Sequence, residues 1–320
     1  MNLSTEILSN NPSNISKVVN ILKSNGLVAL PTETVYGLAA NAYNDYAVKC
    51  IYEVKSRPLT NPLIIHFKNK DSALNAIEID NRAIKLANKF WPGPLTLVGK
   101  IRDKSISKIA CSEMNTVAVR VPSNIIFKKI LCLLDFPLAA PSANRFGKIT
   151  PTSAKDVKDE LKGRISVILN GGVSEIGLES TVVDLSTSKS IILRTGGIEN
   201  EEINKVICTT KKNINDKNLN SPGLEKYHYQ PSTPVRINVE KPKKDEAFLA
   251  FGELPENFNG PSLSLSKKKC LIETAKNLYK MLRILDKRKS KSIAVQKIPA
   301  IGLGMAINER LLKASFKEKI

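Results

Sequence analysis

A two-unit α/β chain is what this sequence predicts, on three observations. Short apolar runs alternate with segments of helical periodicity from about residue 10 to residue 207, the pattern of helices packed on a sheet. Several apolar runs end in hydroxyl, amide or cationic residues, so polar groups gather at strand ends. The composition then shifts to Lys, Asn and Asp before a smaller periodic segment begins. The expected division is a large unit over residues 1–207, a linker or lid over 208–234 and a small α/β unit over 235–320.

Length and composition admit this reading. With 320 residues and 42% apolar content, the chain can bury one large and one small core. The 49 Lys and Arg against 30 Asp and Glu give a net charge of +19, which favours anionic partners such as nucleotides, RNA or acidic surfaces. Five scattered cysteines without a Cys-x-x-Cys pair argue against a disulfide framework or a structural zinc site and for a reducing cytosol. No charged-then-apolar leader opens the chain, and no apolar run approaches the ~20 residues of a membrane span. A soluble cytoplasmic protein is expected.

The first helix is read from Ile15, Val18, Val19, Ile21 and Leu22, with Gly26 where a C-terminal cap belongs. A strand over Leu27–Leu30 then stops at Pro31 and turns into Thr32-Glu33-Thr34, delivering hydroxyls and a carboxylate to a sheet edge. Asp45 reads as the N-cap of a second helix with Ala47, Val48, Ile51, Tyr52 and Val54 on one face. Pro58 forces Arg57 out of helical geometry, so Lys55 and Arg57 lie at a helix exit, two cations aimed at something anionic. A strand over Leu63–Phe67 carries His66, one of only two histidines. Ile84, Leu86, Ala87 and Phe90 mark a helix ending near Trp91-Pro92-Gly93-Pro94, and a strand resumes over Leu95–Val98.

The run Thr116–Val121 alternates, placing Thr116, Ala118 and Arg120 on one face. Thr116 and Arg120 are then about 13 Å apart, a span that fits one metabolite. After a helix near Asn124–Leu134, the small residues Leu138-Ala139-Ala140-Pro141 let a ligand approach the backbone while Ser142 and Asn144 hydrogen-bond it. A helix over Ser153–Leu161, a strand over Ser166–Leu169, a strand opened by Ser180 and one ended by Arg194 complete the large unit. In the linker, Ser221-Pro222-Gly223 and the cluster Tyr227-His228-Tyr229 suit a lid better than a tether. The small unit shows strands at Ala247–Phe251 and Ser292–Val295, a helix near Ile272–Leu285, and Gly302-Leu303-Gly304 before a basic end.

The inventory limits the chemistry. There is no phosphate-loop motif, no complete dinucleotide fingerprint, no Gly-x-Ser-x-Gly elbow, and too few histidines for a multi-histidine metal centre. A pocket with Lys55, Arg57, Arg120 and Arg194, and with Thr34, Thr116, Ser142, Asn144 and Ser180 as hydrogen-bonders, suits a polyanion and a small amino or hydroxy acid. It is richer in electrophilic stabilisers than in bases, as positioning and charge neutralisation in nucleotidyl transfer require.

Seven blocks, in order, resemble the signatures of the YrdC-like family: Pro31–Leu38, Lys55-x-Arg57-Pro58, Asn61–His66, Trp91–Thr96, Val119-Arg120-x-Pro122, Ala140–Asn144 and Glu179–Thr181. The Ser221-Pro222-Gly223 linker and Gly302–Leu311 resemble its long threonylcarbamoyl-AMP synthases. The resemblance implies a twisted mixed YrdC-like sheet plus a Rossmann-like C-terminal unit, and condensation of L-threonine, bicarbonate and ATP to threonylcarbamoyl-AMP for threonylcarbamoyladenosine in tRNA. It further implies threonine contacts from Thr34, His66, Arg120, Ala140 and Ser180, with Lys55, Arg57, Ser142 and Asn144 catalytic. ATP would be met by Lys55, Arg57, Asn61, Thr116, Ser142, Asn144, Arg194 and Tyr229, magnesium being held mainly by the triphosphate. Product would pass to the tRNA threonylcarbamoyl-transfer machinery. The usual Met-Lys-Tyr after Ser-Pro-Gly is Leu224-Glu225-Lys226-Tyr227 here, which puts the part of Tyr227 in question. Two alternatives stay open: a non-catalytic tRNA- or double-stranded-RNA-binding module favoured by the charge, and a carbamoyl-AMP synthase.

Overall fold

The structure, a computed structural model, describes residues 3–211 and 228–316. Its strands are Glu6–Leu8 (β1), Val28–Leu30 (β2), Gly37–Asn41 (β3), Ile64–His66 (β4), Leu95–Lys100 (β5), Thr116–Arg120 (β6), Leu138–Ala139 (β7), Val167–Leu169 (β8), Thr181–Asp184 (β9), Ile191–Arg194 (β10), Thr210–Lys211 (β11), Val235–Val239 (β12), Ala247–Ala250 (β13), Ser262–Ser264 (β14) and Ile293–Gln296 (β15). The helices are Pro12–Lys23 (α1), Asp45–Lys55 (α2), Lys70–Asn75 (α3), Asn81–Phe90 (α4), Ile125–Cys132 (α5), Ala154–Leu161 (α6), Asn200–Asn204 (α7), Leu271–Asp286 (α8) and Leu303–Ser315 (α9). The first eleven strands form one twisted mixed sheet in the order β1-β8-β2-β3-β7-β4-β6-β5-β9-β10-β11, and the last four a parallel sheet in the order β12-β15-β13-β14. That all-parallel sheet with its helices is the Rossmann-like arrangement expected of the C-terminal region. The large sheet runs on through β11, past residue 207.

Local chemistry explains the element ends and corrects three readings. Asn11 caps α1 by accepting from Asn14 N at 2.9 Å, but Asn25, with φ 60, takes the left-handed position expected of Gly26. Asn44 rather than Asp45 caps α2, accepting from Ala47 N at 2.9 Å. β9 begins at Thr181, and Ser180 stands just before it. β1, β3, β14 and the short α3 carry too little periodicity to be read, whereas β12, Val235-Arg-Ile-Asn-Val239, alternates and is a strand the sequence reading did not predict; β3 is Gly-Leu-Ala-Ala-Asn, without a β-branched or aromatic residue.

Both faces of β6 are covered. Val117 and Val119 enter the main core, while Ala118 joins Ile64, Val98, Val182 and Leu193 on the opposite side. A sheet buried on both faces has solvent only at its ends, so its strand termini are where polar side chains can converge on a ligand.

Candidate active site

Register gathers the site. His66 of β4 pairs with Arg120 of β6, Arg120 pairs across to Thr96 of β5, and Leu95 pairs with Thr181 of β9. Ser180 therefore arrives beside Thr96, with their hydroxyls 2.7 Å apart. The β2–β3 turn reaches over from the other side, where Thr32 Oγ1 donates to Val35 O at 2.6 Å and accepts from Val35 N at 3.1 Å. Fixed in this way, the turn offers Glu33 and Thr34 to Arg120, whose Nη2 donates to Glu33 Oε1 at 2.6 Å and to Thr34 Oγ1 at 3.0 Å. Arg120 and Glu33 side chains are 4% and 3% exposed, yet Arg120 Nε and Glu33 Oε2 have no hydrogen-bond partner among the described residues.

A cavity of about 50 Å³ opens here, walled by Thr34, Arg57, His66, Arg120, Ala140, Ser142, Ser180, Arg194 and Tyr229, all predicted from sequence, together with His228 and Glu179. Lys55, Asn61, Thr116 and Asn144 are not in its walls. Lys55 lies behind them, its Nζ donating to Ser142 O and Asn144 O at 2.5 Å each, and burial followed by the charge of Arg57 holds its pKa well down. Asn61 anchors Arg57, accepting from Nη2 at its Oδ1 (2.5 Å) and from Nε at its carbonyl (3.1 Å). Asn144 donates to Arg145 O and Lys148 O, closing its own turn. Thr116 is half-buried at the opposite end of β6, beside Lys100.

His66 is pushed down to about 3, first by burial and then by Arg120, so it meets a ligand as neutral imidazole. His228 is lowered for the same first reason, and its Nδ1 has no partner among the described residues. Tyr229 has φ 63, a left-handed conformation that a bulky residue adopts only when its surroundings enforce it. His228 and Phe146 pack edge-on at 5.9 Å, and Tyr229 stacks on Tyr279 at 5.7 Å. Ser221-Pro222-Gly223 and Tyr227 lie outside the described residues.

Sequence reading set the Glu33 carboxylate at a sheet edge without a place in the site, and gave no role to Glu179, Tyr279 or Arg310. The two glutamates stand inside quoted blocks, so a carboxylate in a turn or beside Ser180 was the available signal; Tyr279 and Arg310 offered none. A roomier hollow of about 480 Å³ lies elsewhere, where Lys68 and Arg102 are balanced by Asp103 and Asp135. It lacks the convergence of guanidinium and hydroxyl groups that marks the strand-end cavity.

Residues 20–196 match the family model described as "Telomere recombination", and residues 198–315 match "Threonylcarbamoyl-AMP synthase, C-terminal domain". The chain belongs to the threonylcarbamoyl-AMP synthase family. It is 40% identical to the threonylcarbamoyl-AMP synthase of Pyrococcus abyssi over 92% of each chain. It is 36% identical to that of Bacillus subtilis, over 97% of this chain and 95% of the relative. The crystal structure of P. abyssi Sua5 complexed with L-threonine superposes with a TM-score of 0.89 at 36% identity, covering 97% of this chain and 98% of that one. Family likeness therefore spans both sheets, and the second family match takes in α7, which follows the large sheet's β10.

Proposed function

We propose that the chain is an L-threonylcarbamoyladenylate synthase, a nucleotidyltransferase that condenses L-threonine, bicarbonate and ATP to threonylcarbamoyl-AMP and pyrophosphate. The observation that carries this reading is Arg120: a buried guanidinium with an unengaged Nε, set between Thr34 and His66 in a cavity it shares with Arg57 and Arg194. A carboxylate anchor beside cations suited to phosphates is what an amino acid and ATP need in one site. In this proposal Thr34, His66, Arg120, Ala140 and Ser180 hold threonine. Arg57, Ser142, Arg194 and Tyr229 hold ATP, with Asn61 fixing Arg57, Asn144 closing the turn after Ser142 and Lys55 bracing that turn from behind, while Thr116, at the opposite end of β6, is left out of the ATP set.

The chemistry follows from the substrates. The amine nitrogen of threonine bonds to the carbon of bicarbonate with loss of water, and an oxygen of the resulting carbamate displaces pyrophosphate from the α-phosphorus. Arg57 and Arg194 stabilise negative charge as the pyrophosphate leaves, with Lys55, Ser142 and Asn144 fixing the turn against which it moves. Magnesium is assigned to the triphosphate it arrives with. A labile adenylate calls for hand-over to the tRNA threonylcarbamoyl-transfer machinery, and we place the reaction in the cytoplasm. No helix among the described residues is long and apolar enough to cross a membrane. A catalytic unit that takes in β11 to residue 211, where the expected boundary was 207, a connection onward to 234 and the C-terminal unit over 235–320 belong to the same proposal.

Mass spectrometry of the product from ATP, bicarbonate and a mixture of amino acids, without RNA, tests it. Threonylcarbamoyl-AMP formed only when all three substrates are present is the expected result. Carbamoyl-AMP, or no adenylate at all, sinks the assignment and favours one of the two alternatives.

A further inference from the structure

We infer that the C-terminal unit completes the active site from behind, with Arg310 and Tyr279 acting as positioning residues that hold Glu179 and Tyr229 in the pocket wall. The identity of the ligands rests on the function proposed above; the geometry does not. Glu179 accepts from Thr150 Oγ1 at 2.7 Å, from Tyr279 OH at 3.1 and 3.0 Å, and from Arg310 Nε at 3.0 Å. Tyr279 comes from α8 and Arg310 from α9, both outside the large sheet.

The contacts reach Glu179, itself in the cavity wall, and lie one residue from Ser180 and Arg194. On the cavity side, Arg194 donates through Nε and Nη2 to Ser180 O at 3.1 and 2.9 Å, and through Nη2 to Ser180 Oγ at 3.0 Å. Behind, Arg310 spans the preceding and following residues, bonding Glu179 through Nε and Thr195 O through Nη2 at 2.7 Å. The ends of β9 and β10 are thus tied twice, once by each arginine. The same two helices support Tyr229, which stacks on Tyr279 and lies 5.3 Å beneath the Arg310 guanidinium.

A separate observation shows how closely α8 approaches this loop. Gly177, two residues before Glu179, has φ +78, and a Cβ there would come within 2.6 Å of Lys276 Cα and 2.7 Å of Ala275 O. Only glycine lets the loop lie on the helix backbone at this distance. Side chains whose hydrogen bonds fix those touching a ligand commonly govern affinity without contacting it.

Arg310→Lys keeps the charge but loses the two-pronged reach, and Tyr279→Phe keeps the ring stack but removes the hydroxyl. ATP affinity is measured for both by calorimetry well below the melting temperature, alongside the KM for ATP, kcat and the melting curve. Each variant is expected to weaken ATP binding and raise its KM about tenfold, with kcat changed less. Lower melting temperatures with wild-type ATP affinity in both variants would make the contacts mere docking and overturn the inference. Calorimetry needs no turnover, so a wild-type protein that binds ATP without making the adenylate speaks against the reaction and not against this role.

Discussion

Two buried arginine–glutamate pairs flank the cavity, and they are finished differently. Arg120 and Glu33 meet at 2.6 Å within the large sheet and leave one polar atom on each side without a partner among the described residues. Glu179 meets Arg310 at 3.0 Å between the two units, and both of its oxygens take further donors, while Arg310 Nη1 makes no hydrogen bond among the described residues and faces Glu309 Oε2 at 3.4 Å. A buried carboxylate contributes to stability only when its hydrogen-bonding capacity is met, so Glu179, and not Glu33, is the structural one. The first pair keeps unmet capacity of both kinds, a donor at Arg120 Nε that a ligand carboxylate would meet and an acceptor at Glu33 Oε2 that would take a donor such as an ammonium.

The comparison breaks if the two carboxylates respond alike to removal of charge. Glu179→Gln brings an amide with its own donors into a ring of donors, and is expected to cost about 3–5 kcal/mol of unfolding free energy. Glu33→Gln loses one charged hydrogen bond and is expected to cost about 1.5–3 kcal/mol. Urea unfolding of both variants decides it, and equal losses would erase the distinction between open and closed pairs.

A smaller effect sharpens the assignment of the open pair. Arg120→Lys keeps the charge and gives up the planar fork, so threonine affinity should fall by roughly 1–3 kcal/mol with ATP affinity less affected. Calorimetry with each substrate separates the two, and unchanged threonine binding removes Arg120 as the carboxylate anchor.

A further effect is spread over pH. His66 is held at about 3, below its ordinary 6.5, so the unfolded chain takes the proton first. Its contribution to stability is intact above pH 6.5 and is lost as pH falls toward 3, by up to about 1.4 kcal/mol per unit. Burial alone would raise Glu179, but Arg310 and then Arg194 hold it at about 2, so its contribution is intact above 4.5 and lost as pH falls toward 2. His66→Asn should flatten the stability profile from pH 6.5 down toward 3, where His228 supplies remaining slope, and Glu179→Gln only below 4.5. A Glu179→Gln profile that changes above pH 4.5, or a His66→Asn profile unchanged between 6.5 and 4.5, would contradict the separate environments of the two groups.

The parts of this site legible in the sequence are those whose signal is local. Arg120 and Ser180 stand at strand termini, and the alternation over 116–121 places Arg120 without any knowledge of its neighbours. Arg57 could be located because proline dictates where its helix ends. Lys55 shows the limit: its position at the helix exit was readable, but not that two carbonyls of a turn 87 and 89 residues away would claim its Nζ. Arg310 looks like any arginine on an amphipathic helix, yet its side chain is 1% exposed because a carboxylate 131 residues earlier meets it. The alanine-rich β3 escaped for another reason, since its strand geometry comes from pairing with β2 and β7 and not from its own side chains.

The span of the Glu179 contacts also sets an order of events during synthesis. Tyr279 follows Glu179 by 100 residues and Arg310 by 131, so the carboxylate leaves the ribosome long before its partners. At a translation rate of about 5–20 residues per second, Arg310 is added roughly 7–26 s after Glu179. Both members of the Glu33–Arg120 pair are synthesised before that interval begins, while Glu179 waits through it for its arginine. A chain cut short before α9 would therefore carry Glu33 and Arg120 without the Arg310 brace at Glu179, and the two halves of the wall would be completed in sequence in each newly made molecule.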